Sequence, residues 1–220
     1  MASSTVEDYV KAIYRLQNEA PTGEATVVRL AATLGVTKGS VTSMVRKLRE
    51  ANLATAERYG GIQLTAKGRT LALDIIRRHR LIEVFLVDTL KLDWAEVHEE
   101  AERLEHAMSA KVLDRLDAFL NYPTIDPHGD PIPDAQGRIA DHQRTPLSDL
   151  QRGDQGVIAR VSDQDAGFLG FAAEHGLRPG ERIGIVERLE EAGSLTVRAG
   201  RSAAVSISFE VAEKVLVQRL

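Results

Sequence analysis

Residues 98–106 read HEEAERLEH, two histidines and four glutamates in nine positions. Imidazole nitrogen and carboxylate oxygen are the ligand types left for a divalent transition metal when thiols are absent, and this chain has no cysteine. At about 100° per residue, His98, Glu102, Glu105 and His106 fall within an arc of roughly 100° on one helical face. Val97, Ala101, Leu104 and Met108 form an adjoining apolar stripe, so the four ionisable groups border a core. Glu96, Glu99, Glu100 and Arg103 lie on the solvent side. Upstream, His79 and Glu83 share a face at i, i+4. Taken singly, each residue reads as ordinary surface; Asp8, in the first turn of a helix, is explained by the macrodipole. Taken together they point to a metal centre. The pattern is not the H-E-x-x-H of zinc proteases, because His98-Glu99 has no second histidine at i+4. Nor is it the Glu-x-x-His of di-iron bundles. With no nucleophile beside an evident base, an enzyme is not expected.

Helices must carry such a cluster, and the apolar periodicity supplies them. Val6, Val10, Ile13 and Leu16 predict a first helix, with Ser4 and Glu7, or Thr5 and Asp8, as a capping box. A second covers residues 25–36 and ends at Gly35. Thr37 caps a third, which turns Val41, Met44, Val45 and Leu48 inward. Residues 53–64 predict two short strands around Gly60 and Gly61. Thr65 caps a long helix, and further helices follow from about Asp93 to His106 and from Ser109 to about Leu120. A Pro-, Gly- and Asp-rich stretch over 121–137 closes the helical half. Beyond it, five short alternating β-branched segments and one helix over 165–175 predict a small barrel. The fold class expected is mainly α with a β C-terminal domain. The divisions expected are a winged helix-turn-helix over 1–72, a helical metal-binding and dimerisation domain over 73–140, a linker over 141–150 and an SH3-like, FeoA-like domain over 151–220.

Composition is that of a globular chain: 220 residues, 43% apolar and 27% charged. There is no bilayer-length apolar run and no signal-peptide pattern, so the cytoplasm is the expected location. The net charge of −4 conceals an asymmetry. Residues 37–80 hold ten Lys/Arg against three Asp/Glu, and residues 81–117 hold ten Asp/Glu against four Lys/Arg. The basic block suits a polyanion and the acidic block a cation. Helix, Gly-containing turn, helix and hairpin is the order of a winged helix-turn-helix, whose second helix enters the DNA major groove. That helix would present Thr37, Lys38, Gly39, Ser40, Thr42, Ser43, Arg46 and Lys47, with Arg58 and Tyr59 at the wing tip. Ser43 is too short for bidentate base contact, so shape and phosphate contacts would share the reading.

The stretches TVEDYVKAIYRL, GVTKGSVTSMVRKLREANL, LTAKGRTLA, RRHRLIEVFL, VHEEAERLEHAMS and PHGDPIP, in this order over residues 5–133, resemble the metal-dependent repressors typified by the diphtheria toxin repressor and the manganese transport regulator. The resemblance implies a homodimer that binds double-stranded operator DNA when loaded with Mn²⁺ or Fe²⁺, with no membrane or small-molecule substrate as partner. It implies two metal sites per chain: a primary one at Asp8, Glu102, Glu105 and His106, and an ancillary one at His79, Glu83 and His98, with Asp163 or Asp165 as a further donor. Iron-responsive members carry Met and Cys where this chain has Asp8 and Glu102, and hard oxygen donors favour Mn²⁺. Lys11 stands where the two-domain manganese regulator has a glutamate ligand, which argues for two separate sites. Without metal, the clustered carboxylates are expected to repel one another and loosen the first helix. The residues alone leave open a winged-helix regulator that senses an organic ligand, or a metal-dependent hydrolase.

Overall fold

The computed structural model describes residues 3–18, 23–56, 61–140, 143–162 and 165–220. They form two compact units: the first takes in 1–79, 105–108 and 133–138, the second 80–104, 109–132 and 139–220.

In the first unit, α1 (Ser4–Asn18) buries Val10, Ile13 and Leu16. Helix α2 (Val27–Thr33) starts two residues later than periodicity alone suggests, because the Thr26 hydroxyl caps it by accepting from Arg29 N. Gly35 turns the chain at φ +64°, a left-handed conformation suited to glycine. The Thr37 hydroxyl accepts from Ser40 N and opens α3 (Lys38–Glu50), which buries Val41, Val45 and Leu48 and leaves Met44 half-buried. Strands β1 (Ala54–Ala56) and β2 (Ile62–Leu64) pair antiparallel, Ala54 opposite Leu64. The tip between them, with Arg58, Tyr59 and Gly60, lies outside the described residues. Ile62 N bonds to Ala25 O at 2.7 Å, and Gln17 Nε2 donates to Ile62 O at 2.9 Å, so the wing strand is held by the loop before α2 and by the end of α1. The Thr65 hydroxyl accepts from Gly68 N and starts α4 (Ala66–Asp88), which passes into the second unit after His79.

Helix α5 (Val97–Glu105) is shorter than expected. Asp93 Oδ1 accepts from Ala95 N, holding a turn there, and the Trp94 side chain joins the core of the C-terminal sheet. Helix α6 (Ala110–Phe119) is capped by the Ser109 hydroxyl. The sheet contains β3 (Thr145–Pro146), β4 (Gln155–Val161), β5 (Arg182–Leu189), β6 (Ser194–Ala199), β7 (Val205–Ser208) and β8 (Val215–Arg219), with α7 (Ala166–Glu174) and α8 (Phe209–Glu213) between strands. Its order is β3-β8-β4-β5-β6-β7, all neighbours antiparallel, as in an SH3-like fold. Strand β3 and helix α8 were not legible in the sequence: one is two residues long, the other five. Leu147, Leu150, Ile158, Leu169, Val197 and Val217 share the core with Trp94. No helix among the described residues is long and apolar enough to cross a membrane.

The 126–130 loop is pressed onto β4. Gly129 sits at φ +85°, and a Cβ there would stand 2.0 Å from the Ala159 carbonyl oxygen. Gly129→Ala should therefore cost about 1–3 kcal/mol through clash and a disallowed backbone. Urea unfolding measures it; a loss within noise would mean that the loop can retreat from β4.

Candidate metal centres and nucleic-acid face

Helix α1 has one turn of polar residues amid its apolar face. Glu7 and Lys11 are buried, at 7% and 4% exposure, although both types normally face water. Glu7 was expected to close a capping box; instead its Oε2 lies 2.7 Å from His106 Nδ1. The other ring nitrogen, Nε2, lies 2.8 Å from Asp8 Oδ1. His106, one residue beyond α5, thus spans two carboxylates of α1. Burial pushes its pKa down, but the Glu7 hydrogen bond and the charges of Asp8, Glu105 and Glu7 outweigh that and hold it above the ordinary imidazole value. Ligand atoms of Asp8, Glu105 and His106 lie within 4.8 Å of one another.

Glu105 is fully buried. Lys11 Nζ donates to both its oxygens, at 2.9 and 2.8 Å, and His79 Nδ1 stands 2.7 Å from Oε2. The expected mutual repulsion of bare carboxylates is therefore largely relieved within the protein: Lys11 compensates Glu105, and His106 bridges Glu7 and Asp8. His79, assigned by resemblance to the ancillary site, directs Nδ1 to Glu105 and Lys11.

A second cluster forms in the other unit. Glu83, one turn beyond His79 on α4, is fully buried and places Oε1 3.2 Å from His98 Nδ1. His98 Nε2 lies 3.6 Å from Glu102. Glu83 Oε2 stands 3.9 Å from Nδ1 of His128, a fully buried residue that composition and spacing had not singled out. Glu83, Asp126 and His128, all buried, also bring ligand atoms within 4.8 Å of one another. Among the described residues, His128 Nδ1 and Asp126 Oδ2 are buried without a hydrogen-bond partner. Burial, followed by the charges of Asp130 and Glu83, pushes the Asp126 pKa well up, although Arg80 Nε stands 3.7 Å from its Oδ2 and opposes the shift. Its Oδ1 accepts from the backbone N–H groups of His128 and Asp130, which shapes the loop. Arg80, almost fully buried, reaches Asp130 Oδ1 at 3.3 Å and the Pro131 carbonyl at 2.6 Å, and Arg160 on β4 reaches Asp130 at 2.7 Å. Of the further donors suggested, Asp165 caps α7 by accepting from Phe168 N, and Asp163 lies outside the described residues.

On α3, Thr37, Lys38, Gly39, Ser40, Thr42, Ser43, Arg46 and Lys47 are all exposed. Gly39, Thr42, Ser43 and Arg46, together with Arg49, line a cleft of about 1090 Å³. Some hydroxyls are already engaged: Thr42 Oγ1 donates to Lys38 O, and Thr37 and Ser40 hydroxyls meet at 2.9 Å.

Residues 1–62 match the family model of the iron dependent repressor N-terminal DNA binding domain, 65–134 that of the iron dependent repressor metal binding and dimerisation domain, and 145–219 that of the FeoA domain. The chain is 32% identical over 196 residues to the diphtheria toxin repressor of Corynebacterium efficiens, covering 83% of each. It is 41% identical over 129 residues to the iron-dependent repressor IdeR of Mycobacterium tuberculosis, a stretch that is 59% of this chain and 55% of that one. The aligned stretch thus spans about half the length of the mycobacterial relative. A solved manganese-dependent transcriptional repressor in complex with manganese superposes with a TM-score of 0.90 at 38% identity, over 98% of this chain and 100% of the other. The manganese regulator SloR superposes at 0.79 with 32% identity, over 98% of each chain.

Lys11 can be tested without metal. Lys11→Met leaves Glu105 buried without its ammonium, which typically costs about 3–5 kcal/mol. Adding Glu105→Gln should recover part of that loss in urea unfolding with EDTA. Equal losses for the single and double variants would mean that the pair is not coupled.

Proposed function

The chain belongs to the iron-dependent repressor family, and we propose that it is a metal-activated, DNA-binding transcriptional repressor that works as a cytoplasmic homodimer. The observation that carries this reading is the placement of Asp8. It lies on α1, which packs against α2 and α3 of the helix-turn-helix, and it forms one corner of the Asp8–Glu105–His106 cluster. Asp8, Glu105 and His106, with Glu102 one turn before His106, would hold the activating ion. When bound, the ion supplies the positive charge that lets carboxylates of α1 and α5 converge on one point. Glu7, accepting from His106 Nδ1, directs Nε2 towards Asp8. Lys11, donating to both Glu105 oxygens, steadies that carboxylate. Carboxylate and imidazole donors without sulfur favour Mn²⁺, with Fe²⁺ as the alternative.

A second cation would be held around Glu83. His79 and His98 would serve it as the resemblance implies, and the buried Asp126 and His128 add two further donors beside Glu83. His98 remains beside the other oxygen of Glu83, and His79 is engaged with Glu105.

Operator DNA would be met by the exposed α3 face, Thr37 to Lys47, and by Arg58 and Tyr59 at the wing. Leu104, Val112 and Phe119, 45%, 53% and 66% exposed on α5 and α6, give an apolar face that a second copy would cover. Dimerisation would set the spacing of two recognition helices on a palindrome. The targets inferred by family analogy are metal-uptake genes.

Fluorescence anisotropy on labelled genomic fragments tests the reading. Binding should appear with Mn²⁺ or anaerobic Fe²⁺ and vanish in EDTA, and Asp8→Ala should weaken the metal-dependent part by more than about tenfold. Binding indifferent to chelation would refute metal activation. Proton competition gives a further check. In metal-free protein, pairing of protonated His106 with Glu7 and Asp8 stabilises fully below the ordinary imidazole pKa of about 6.5, and is lost as pH rises through the raised value. The metal needs the Nε2 lone pair, so apparent Mn²⁺ affinity at this site should rise with pH over the same window and then level off. A flat profile in calorimetric titration would remove His106 from the ligand set.

A further inference from the structure

Trp94, the one tryptophan in the chain, touches the second cluster in two ways. Its backbone carbonyl lies 2.9 Å from His128 Nε2, and its ring stacks on the imidazole with centroids 5.2 Å apart and planes 26° apart. We propose that Trp94 is the positioning residue of this cluster, fixing His128 as the Nε2–H tautomer in a set plane so that the Nδ1 lone pair faces Glu83 and Asp126.

The tautomer follows from what each atom can do. A carbonyl oxygen only accepts, so Nε2 must donate. Nδ1 is buried and has no hydrogen-bond partner among the described residues; Glu83 Oε2 is 3.9 Å away, too far to accept from it. A proton on Nδ1 would therefore be unsatisfied, whereas a lone pair there is poised for a cation. The ring has little freedom to turn away. Its own backbone is tied at both sides: His128 N donates to Asp126 Oδ1 at 2.8 Å, and His128 O accepts from Val161 N of β4 at 2.9 Å. The stacking indole is itself immobilised, 3% exposed in the sheet core, with the Arg178 guanidinium 5.0 Å from its ring centroid. None of these contacts uses Nδ1, so together they orient the ring and leave that atom to a cation.

The proposal rests on the reading of Glu83, Asp126 and His128 as a cation site, and the test separates the two. Protein labelled with ¹⁵N-histidine, in EDTA, is examined by long-range ¹H–¹⁵N correlation, with His128 assigned from His128→Gln among the six histidines. The expected result is a single Nε2–H tautomer for His128 in the metal-free state. Cd²⁺, a diamagnetic probe, should then move the Nδ1 resonance and shift Trp94 emission, in Asp8→Ala as in wild type. Trp94→Phe keeps the carbonyl and an aromatic face and should retain the Nε2–H tautomer and the Nδ1 response to Cd²⁺. Trp94→Leu keeps only the carbonyl and should bind Cd²⁺ at this cluster about tenfold more weakly. An Nδ1–H or averaged tautomer in EDTA overturns the positioning role even if Cd²⁺ binds. The Nε2–H tautomer with no response of His128 to Cd²⁺ overturns the cation reading.

Discussion

A carboxylate removed from water must have positive charge beside it, and Glu105 is fully buried. Lys11 meets that demand, and Lys11 lies on α1. The position of the first helix is thus tied to a charge requirement at the end of α5, apart from any metal. The same helical turn brings Asp8 and Glu7 to the two nitrogens of His106. Removing the buried pair would leave apolar packing and the His106 contacts of Glu7 and Asp8 to hold α1.

The second cluster solves the same problem incompletely. Arg80 lies between Asp126 and Asp130, Arg160 also reaches Asp130, and His98 lies beside one oxygen of Glu83. Asp126 and His128 nevertheless keep buried atoms without hydrogen bonds. The two clusters therefore differ in kind. One is closed by an internal ammonium and a bridging imidazole; the other is an assembled loop with polar atoms turned inward and unsatisfied.

Much of this was legible in the sequence. Thr37 and Thr65 cap where hydroxyls preceding apolar periodicity said they would, Gly35 turns the chain, and five of the six strands of the C-terminal sheet follow the β-branched alternation. The i, i+3 and i, i+4 spacings of Glu102, Glu105 and His106 placed these groups on a common face. What was not legible is tertiary. Glu7 reads locally as a helix cap until His106, ninety-nine positions on, is known as its partner, and the sequence near Lys11 does not show that it is buried against Glu105, ninety-four positions on. Asp126 and His128 lie in a Pro- and Gly-rich stretch without periodicity, where nothing local reveals that the loop folds inward. Trp94 looked like a helix residue because its pull into the sheet core depends on strands that begin fifty positions later.

Helix α1 joins two attachments. Near its start, Asp8 and Glu7 hold His106; near its end, Gln17 donates to Ile62 O and to Gln63 Oε1 of the wing strand. The two points lie about 13 Å apart along a continuous helix, at 1.5 Å per residue. A tilt of this rod at the acidic end would be carried along it to the hairpin, besides reaching α2 and α3 through the packing between them. Mutations at Gln17 or Gln63 would then uncouple the wing from the cluster while leaving both intact, giving a protein that senses normally and transmits poorly.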